Sequence, residues 1–364
     1  MSSVRHIIKK ASGLDALALI EGQLGFRPHE SVVVCALHPP RGRVHGMVRL
    51  DWPAEWHPEL RPRLLHGLDL LVQAGGRGSF VVRYAAPGAP SLPDDEPLRC
   101  LLKDVGQPMP VAGLWDVSPA RLQEYDWRTG RPLGEPVRPD ELRNTRVAAA
   151  MALEGIAPLA RRDQLATIKA APENARRAAR KAERRTLDRA VALNESDLRA
   201  WREDCLAVWS HWLAAVQADR TAAVPPTALG RIHALIGHKD GRQAIALSPF
   251  KTTGPAFEDA VGAASDVNAE LGLDDSPGID PELAQAALDL VSRLLAHVAP
   301  QRRAEGYALG AWWYWWLGSG PHASEWARAA LDCDPRHTLA ALVDQALDQG
   351  SYPRAVVERS SATV

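Results

Sequence analysis

The chain has 364 residues, of which 46% are hydrophobic and 24% charged, and its formal net charge is −1. That length suits two domains, each with a sizeable core. The near-neutral charge argues against a protein whose whole surface binds nucleic acid or acidic membrane, and leaves room only for local patches. The 4 cysteines, Cys35, Cys100, Cys205 and Cys333, lie far apart, with no CxxC pair and no zinc-ribbon spacing. Cys35 and Cys333 sit among apolar residues, where a free thiol behaves as a small hydrophobe, and this fits a reducing cytoplasm. The opening MSSVRHIIKK lacks the long apolar core of a signal peptide, and the longest apolar run, YALGAWWYWWLG, is too short to span a bilayer. The expectation is a cytoplasmic protein with no membrane partner.

In chain order, GLDALALIEGQL (13–24) places Leu14, Leu17, Ile20 and Leu24 on one helical face, with Gly25 as its stop and Pro28 as a breaker. SVVVCAL (31–37) reads as a buried strand and VHGMVRLDW (44–52) as a second, joined as an antiparallel hairpin. An amphipathic helix over 57–74 ends at GGRG, and SFVVRYAA (79–86) is a third strand. A helix near 94–106 and strands at 110–117 and 120–127 follow, with RTGRP (128–132) as a turn. The order predicts an α/β or α+β domain with a mixed sheet over 1–138.

Beyond 139 the pattern turns helical, starting with a single helix ended by Gly155. Further helices are predicted at 172–193, 195–219, 225–237, 255–272, 280–298, 302–317, 322–333 and 337–349. This all-α domain covers 139–352, and 353–364 reads as a flexible tail. Within it, 305–335 resembles one tetratricopeptide unit: Tyr307, Ala311 and Tyr314 on a first helix, Gly318 at the turn, and Ala323, Ala327 and Ala330 on the second. A single unit is too few for a solenoid.

Catalytic and metal signals are weak. GGRGS (75–79) follows a helix and precedes a strand, the reverse of a phosphate-binding loop. The 12 histidines include no HExxH; His233 and His238 are five apart, and His211 lies between tryptophans on a helix. No GxSxG supports Ser31 or Ser79 as a nucleophile. No catalytic residue, metal ligand or cofactor is therefore assigned, and the balance leans away from an enzyme.

Three features remain as candidate surfaces. From Arg161 to Arg189 there are ten Lys or Arg against four Asp or Glu, and Arg176, Arg177, Arg180, Lys181, Arg184 and Arg185 fall on adjacent turns as a basic stripe. Such a stripe can meet phosphates, though i,i+3 and i,i+4 pairs to Glu173 and its like also explain it. Tryptophan occurs 12 times against 4 phenylalanines, and WWYWW (312–316) covers every side of its helix. It serves as core, or as a partner-binding surface through Trp312, Trp313 and Trp316. Finally, Arg27, His29, Glu30 and Ser31 could gather with Arg49 and Asp51 as a ligand-binding loop cluster, or serve only to hold that loop.

The stretch LALIEGQLGFRPHESVVVCAL and the strand end VRLDWP resemble the actinobacterial family known as domain of unknown function 4192, through Leu24, Gly25, Phe26, Pro28, Ser31, Val32, Val33, Arg49, Asp51 and Pro53. The segment GYALGAWWYWWLGSGPHASEWARAALDCDPRHTLAALVDQAL resembles the family's C-terminal end. Trp52 and the tryptophan load at 312–316 depart from the pattern. The resemblance implies fold and lineage, and no reaction or site residue. The leading expectation is a non-catalytic interaction or regulatory protein with a protein partner. A small-ligand binder or enzyme using the N-terminal loop cluster is the alternative, and nucleic-acid contact through 161–189 is the less favoured third reading.

Overall fold

In a computed structural model, the described residues are 12–38, 43–52, 60–86, 89, 92, 96–250, 278–353 and 355–356. Pro53, the helix expected at 255–272 and most of the tail after 353 lie outside them. The chain divides into two compact units, Ser3–Leu165 and Ala166–Val356.

The N-terminal unit is built on a six-stranded mixed sheet in the order β2-β1-β3-β4-β5-β6. The strands are β1 (Ser31–His38), β2 (Arg43–Asp51), β3 (Gly78–Tyr84), β4 (Val111–Val117), β5 (Leu122–Tyr125) and β6 (Pro132–Val137). β1 pairs antiparallel with both β2 and β3, as the hairpin reading requires for the first pair. β3 and β4 run parallel, because the helix α3 (Glu96–Gly106) lies between them as a crossover. Strand β6 had no clear signature: its residues are exposed or nearly so and it carries two prolines, so no buried alternation marks it.

Both faces of the sheet are covered, which is why β1 reads as an unbroken apolar run. On one face, Val32, Val34, Val81 and Leu114 pack with Leu64 and Leu68 of α2 (Leu60–Gln73) and Leu98 and Leu102 of α3. On the other, Val33, Cys35, Val82 and Trp115 pack with Leu17, Ile20 and Leu24 of α1 (Gly13–Leu24) and with Phe26. α1 begins with a capping box, Ser12 accepting from the Asp15 amide, and ends at Gly25, whose φ of 80° is the left-handed conformation glycine adopts without strain.

The division between units falls later than the expected boundary at 138. The segment after the sheet returns to α1: Val147 and Met151 of α4 (Arg146–Leu153) bury against Ala18 and Leu19, and Phe26 bridges to Leu159. The single helix expected over 139–155 is broken. A 3₁₀ turn spans Pro139–Asn144, then Thr145 takes an extended conformation and caps α4 by accepting from the Ala148 amide.

The C-terminal unit is all helical among the described residues: α5 (Glu173–Val191), α6 (Glu195–Ala218), α7 (Pro226–Ile236), α8 (Lys239–Leu247), α9 (Pro281–His297), α10 (Ala304–Trp316), α11 (Gly320–Cys333) and α12 (Thr338–Asp348). α8 was not anticipated, since only Ala244 and Ile245 of its apolar residues are buried. α10 and α11 form a tight hairpin around Gly310, where an added Cβ would stand 2.0 Å from the Trp326 ring. Trp209, Trp313, Trp315 and Trp316 join the same core.

Candidate functional site

The helix-to-strand joint after α1 is a clamped loop. The Arg27 amide donates to the Leu159 carbonyl and the Leu159 amide to the Gly25 carbonyl, each at 2.8 Å. His29 Nε2 lies 3.2 Å from the Ala160 carbonyl. Glu30 has φ 44°, a left-handed backbone at a non-glycine residue, and its carbonyl accepts from the Trp52 amide at 2.6 Å. Backbone strain of this kind persists only where the surroundings impose it.

This clamp delivers the chain to Ser31, the first residue of β1, which lies between β2 and β3. Ser31 is the register partner of Asp51 on β2 and of Tyr84 on β3. Side chains directly opposite share a face, so the three stand in a row on the side covered by α1. Arg49, opposite Val33, belongs to the same face and places its guanidinium 5.7 Å from the Phe26 ring centroid. It donates to Asp51 Oδ1 at 2.6 Å; the Arg49 side chain is 15% exposed and that of Asp51 73%.

Two residues that no motif announced complete the group. Glu21, on the inner side of α1, accepts from Arg27 Nε at 3.2 Å. Burial raises its pKa, with Arg27 opposing the shift. Tyr84 is buried at the end of β3, and burial with the nearby Glu21 carboxylate drives its pKa well above the ordinary phenol value. Glu21 left one trace in the sequence: it is an acid at helical spacing between Leu17 and Leu24, on the apolar face.

Three buried polar atoms of this group, Ser31 Oγ, Tyr84 OH and Arg49 Nε, have no hydrogen-bond partner among the described residues. A buried donor without a partner costs about 1–3 kcal/mol, and native proteins rarely tolerate several in one place. Ser31 Oγ makes no hydrogen bond to a histidine or carboxylate among the described residues. Of the six residues expected to cluster, Ser31, Arg49 and Asp51 share a face. Arg27 joins through Glu21. His29 and Glu30 are exposed and hold the loop through Ala160 and Trp52.

The other candidates separate. Trp313 and Trp316 are fully buried in the helical core and Trp312 is partly buried, its ring 5.4 Å from that of Trp315 and 5.6 Å from that of Trp316. Trp313 Nε1 donates to the Ala246 carbonyl at 2.9 Å. The rings expected to anchor a partner fill the unit's own interior, because a helix apolar on all sides lowers its free energy by burial. In the basic stripe, Arg176 is partly buried and pairs with Glu173, while Arg177, Arg180, Lys181, Arg184 and Arg185 are exposed. Among the described residues no group of three or more His, Cys, Asp or Glu could hold a metal, and no helix is long and apolar enough to cross a membrane.

No curated protein and no solved structure matches this chain. The model of the family described as domain of unknown function (DUF4192) matches residues 15–269 and 276–354. That match takes in the clamped loop, the whole sheet and the tryptophan hairpin, and the chain therefore belongs to the DUF4192 family.

Proposed function

We propose that the N-terminal unit binds a small polar ligand on the α1 side of its sheet, with Ser31, Arg49 and Tyr84 supplying hydrogen bonds and Glu21 and Arg27 flanking them. The single observation that carries this reading is the set of three buried, unpartnered polar atoms on neighbouring strands. All three can donate, and Arg27 and Arg49 are cations, so the favoured ligand presents an acceptor oxygen such as a carboxylate or carbonyl. The role is binding, and the protein works in the cytoplasm. The four thiols, all free, support that location. An interaction role through Trp313 and Trp316 loses support, since their burial leaves no surface to offer.

The test is a thermal-shift screen of the full chain against carboxylates, sugar phosphates and nucleotides, since a ligand that binds only the folded state raises Tm. Ser31→Ala and Tyr84→Phe are expected to fold and to lose most of the shift. A screen in which no ligand moves Tm, or in which both variants respond like the parent, overturns the reading.

A further inference from the structure

The helix α5 bears seven basic and three acidic side chains over Glu173–Val191. In the sequence the acids look like neutralising partners. The structure sends the central one elsewhere. Glu183 is buried against α7: His233 Nδ1 lies 2.6 Å from its Oε1, and Arg302 donates to both its oxygens at 2.5 and 3.2 Å. Burial pushes its pKa up, but the bonds from His233 and Arg302 outweigh that and hold the carboxyl below its usual range. Ala179, one turn earlier, faces inward too, with its carbonyl 2.1 Å from where a Cβ on Gly230 would stand. The inner face of α5 is thus settled, and its middle acid is withdrawn from the surface.

The outer face is left strongly positive. Arg177, Lys181 and Arg185 recur every four residues, about 6 Å apart along the axis, and have no acidic partner among the described residues. Arg180 and Arg184 flank them, with only long contacts to Glu173 at 3.4 Å and Asp188 at 3.9 Å. Arg189 extends the ridge. Exposed contacts of that length are worth little.

We propose that this ridge is a docking surface for the phosphate backbone of a nucleic-acid duplex, bound without sequence preference. Arginine predominates, and its planar fork suits phosphate oxygens. α5 carries no aromatic residue, so it offers neither a stacking platform for single strands nor an anchor for a protein interface. Its two large apolar residues, Leu187 and Val191, lie in the last two turns, so it lacks the apolar face that membrane insertion needs. The net charge of −1 on the whole chain confines the attraction to this ridge.

The experiment is fluorescence anisotropy of a labelled mixed-sequence DNA duplex, titrated with the full chain from 50 to 200 mM salt. Expected is binding whose log affinity falls linearly with log salt. In the triple variant Arg177→Gln/Lys181→Gln/Arg185→Gln, affinity at 50 mM should fall roughly tenfold or more and the slope should flatten by about 2 to 3. All three residues are exposed, so its melting curve should match the parent's. The control Arg121→Gln/Arg143→Gln/Arg146→Gln, also at exposed positions, should bind like the parent. No binding at 50 mM, an equal loss in the control, or binding to phosphatidylserine-containing vesicles without binding to the duplex overturns the proposal.

Discussion

Arg83 Nε donates to Asp116 Oδ1 at 2.7 Å, and both side chains are buried in the middle of the sheet, 2% and 5% exposed. They are register partners on the parallel pair β3 and β4, and Gln123, the partner of Asp116 on β5, is buried beside them. Removing Asp116 takes its carboxylate partner from a buried guanidinium. Asp116→Ala should therefore cost about 3–5 kcal/mol, and Arg83→Met/Asp116→Leu should recover much of that loss. Urea unfolding checks both, and a single-variant loss below about 1 kcal/mol would contradict the account.

The crossing of α5 and α7 depends on Gly230. An added Cβ would stand 2.1 Å from the Ala179 carbonyl oxygen, a backbone atom that cannot rotate away. Alanine favours a helix over glycine by about 1 kcal/mol, yet Gly230→Ala should destabilise by about 1–3 kcal/mol, because the helices must part. A melting temperature at or above the parent's would show that the crossing tolerates the methyl.

His322 stacks on Tyr314 with ring centroids 4.7 Å apart, and its Nδ1 lies 2.9 Å from Ser319 Oγ. Burial lowers its pKa from 6.5 to about 4. A depressed histidine contributes stability that is present above its unfolded pKa and lost as pH falls through its folded one. Between pH 6.5 and pH 4 the protein should lose on the order of 3 kcal/mol on this account. His322→Gln should flatten that part of the profile in denaturant melts. An unchanged slope would rule the histidine out as its source.

Trp313→Ala distinguishes core from interface. The ring is fully buried and stacks with Trp209 at 6.2 Å. The expected cost is about 3–5 kcal/mol, seen as early loss of helical circular dichroism on heating. A variant as stable as the parent would return Trp313 to the list of partner anchors.

Much of the candidate site was written locally. Gly25 and Pro28 end α1, the valines announce β1, and the candidate residues Ser31, Arg49 and Asp51 sit where the hairpin register aligns them. Tyr84 was not legible, because it enters from a strand remote in sequence, and Glu21, though close in sequence, is singled out only by the burial and neighbours it acquires.

Periodicity and turn chemistry were enough to define most helices, the β1–β2 hairpin and the change from α/β to all-helical chain, since those depend on spacing of apolar residues over a few turns. Three matters waited for long-range packing. Residues 146–159 joined the N-terminal unit, because Met151 and Leu159 find their partners on α1 and at Phe26. The tryptophans at 313 and 316 became core, because neighbouring helices surround α10. The charge of α5 was decided by where Glu183 points, and a linear count of acids and bases cannot register that an acid has been drawn inside by His233 and Arg302.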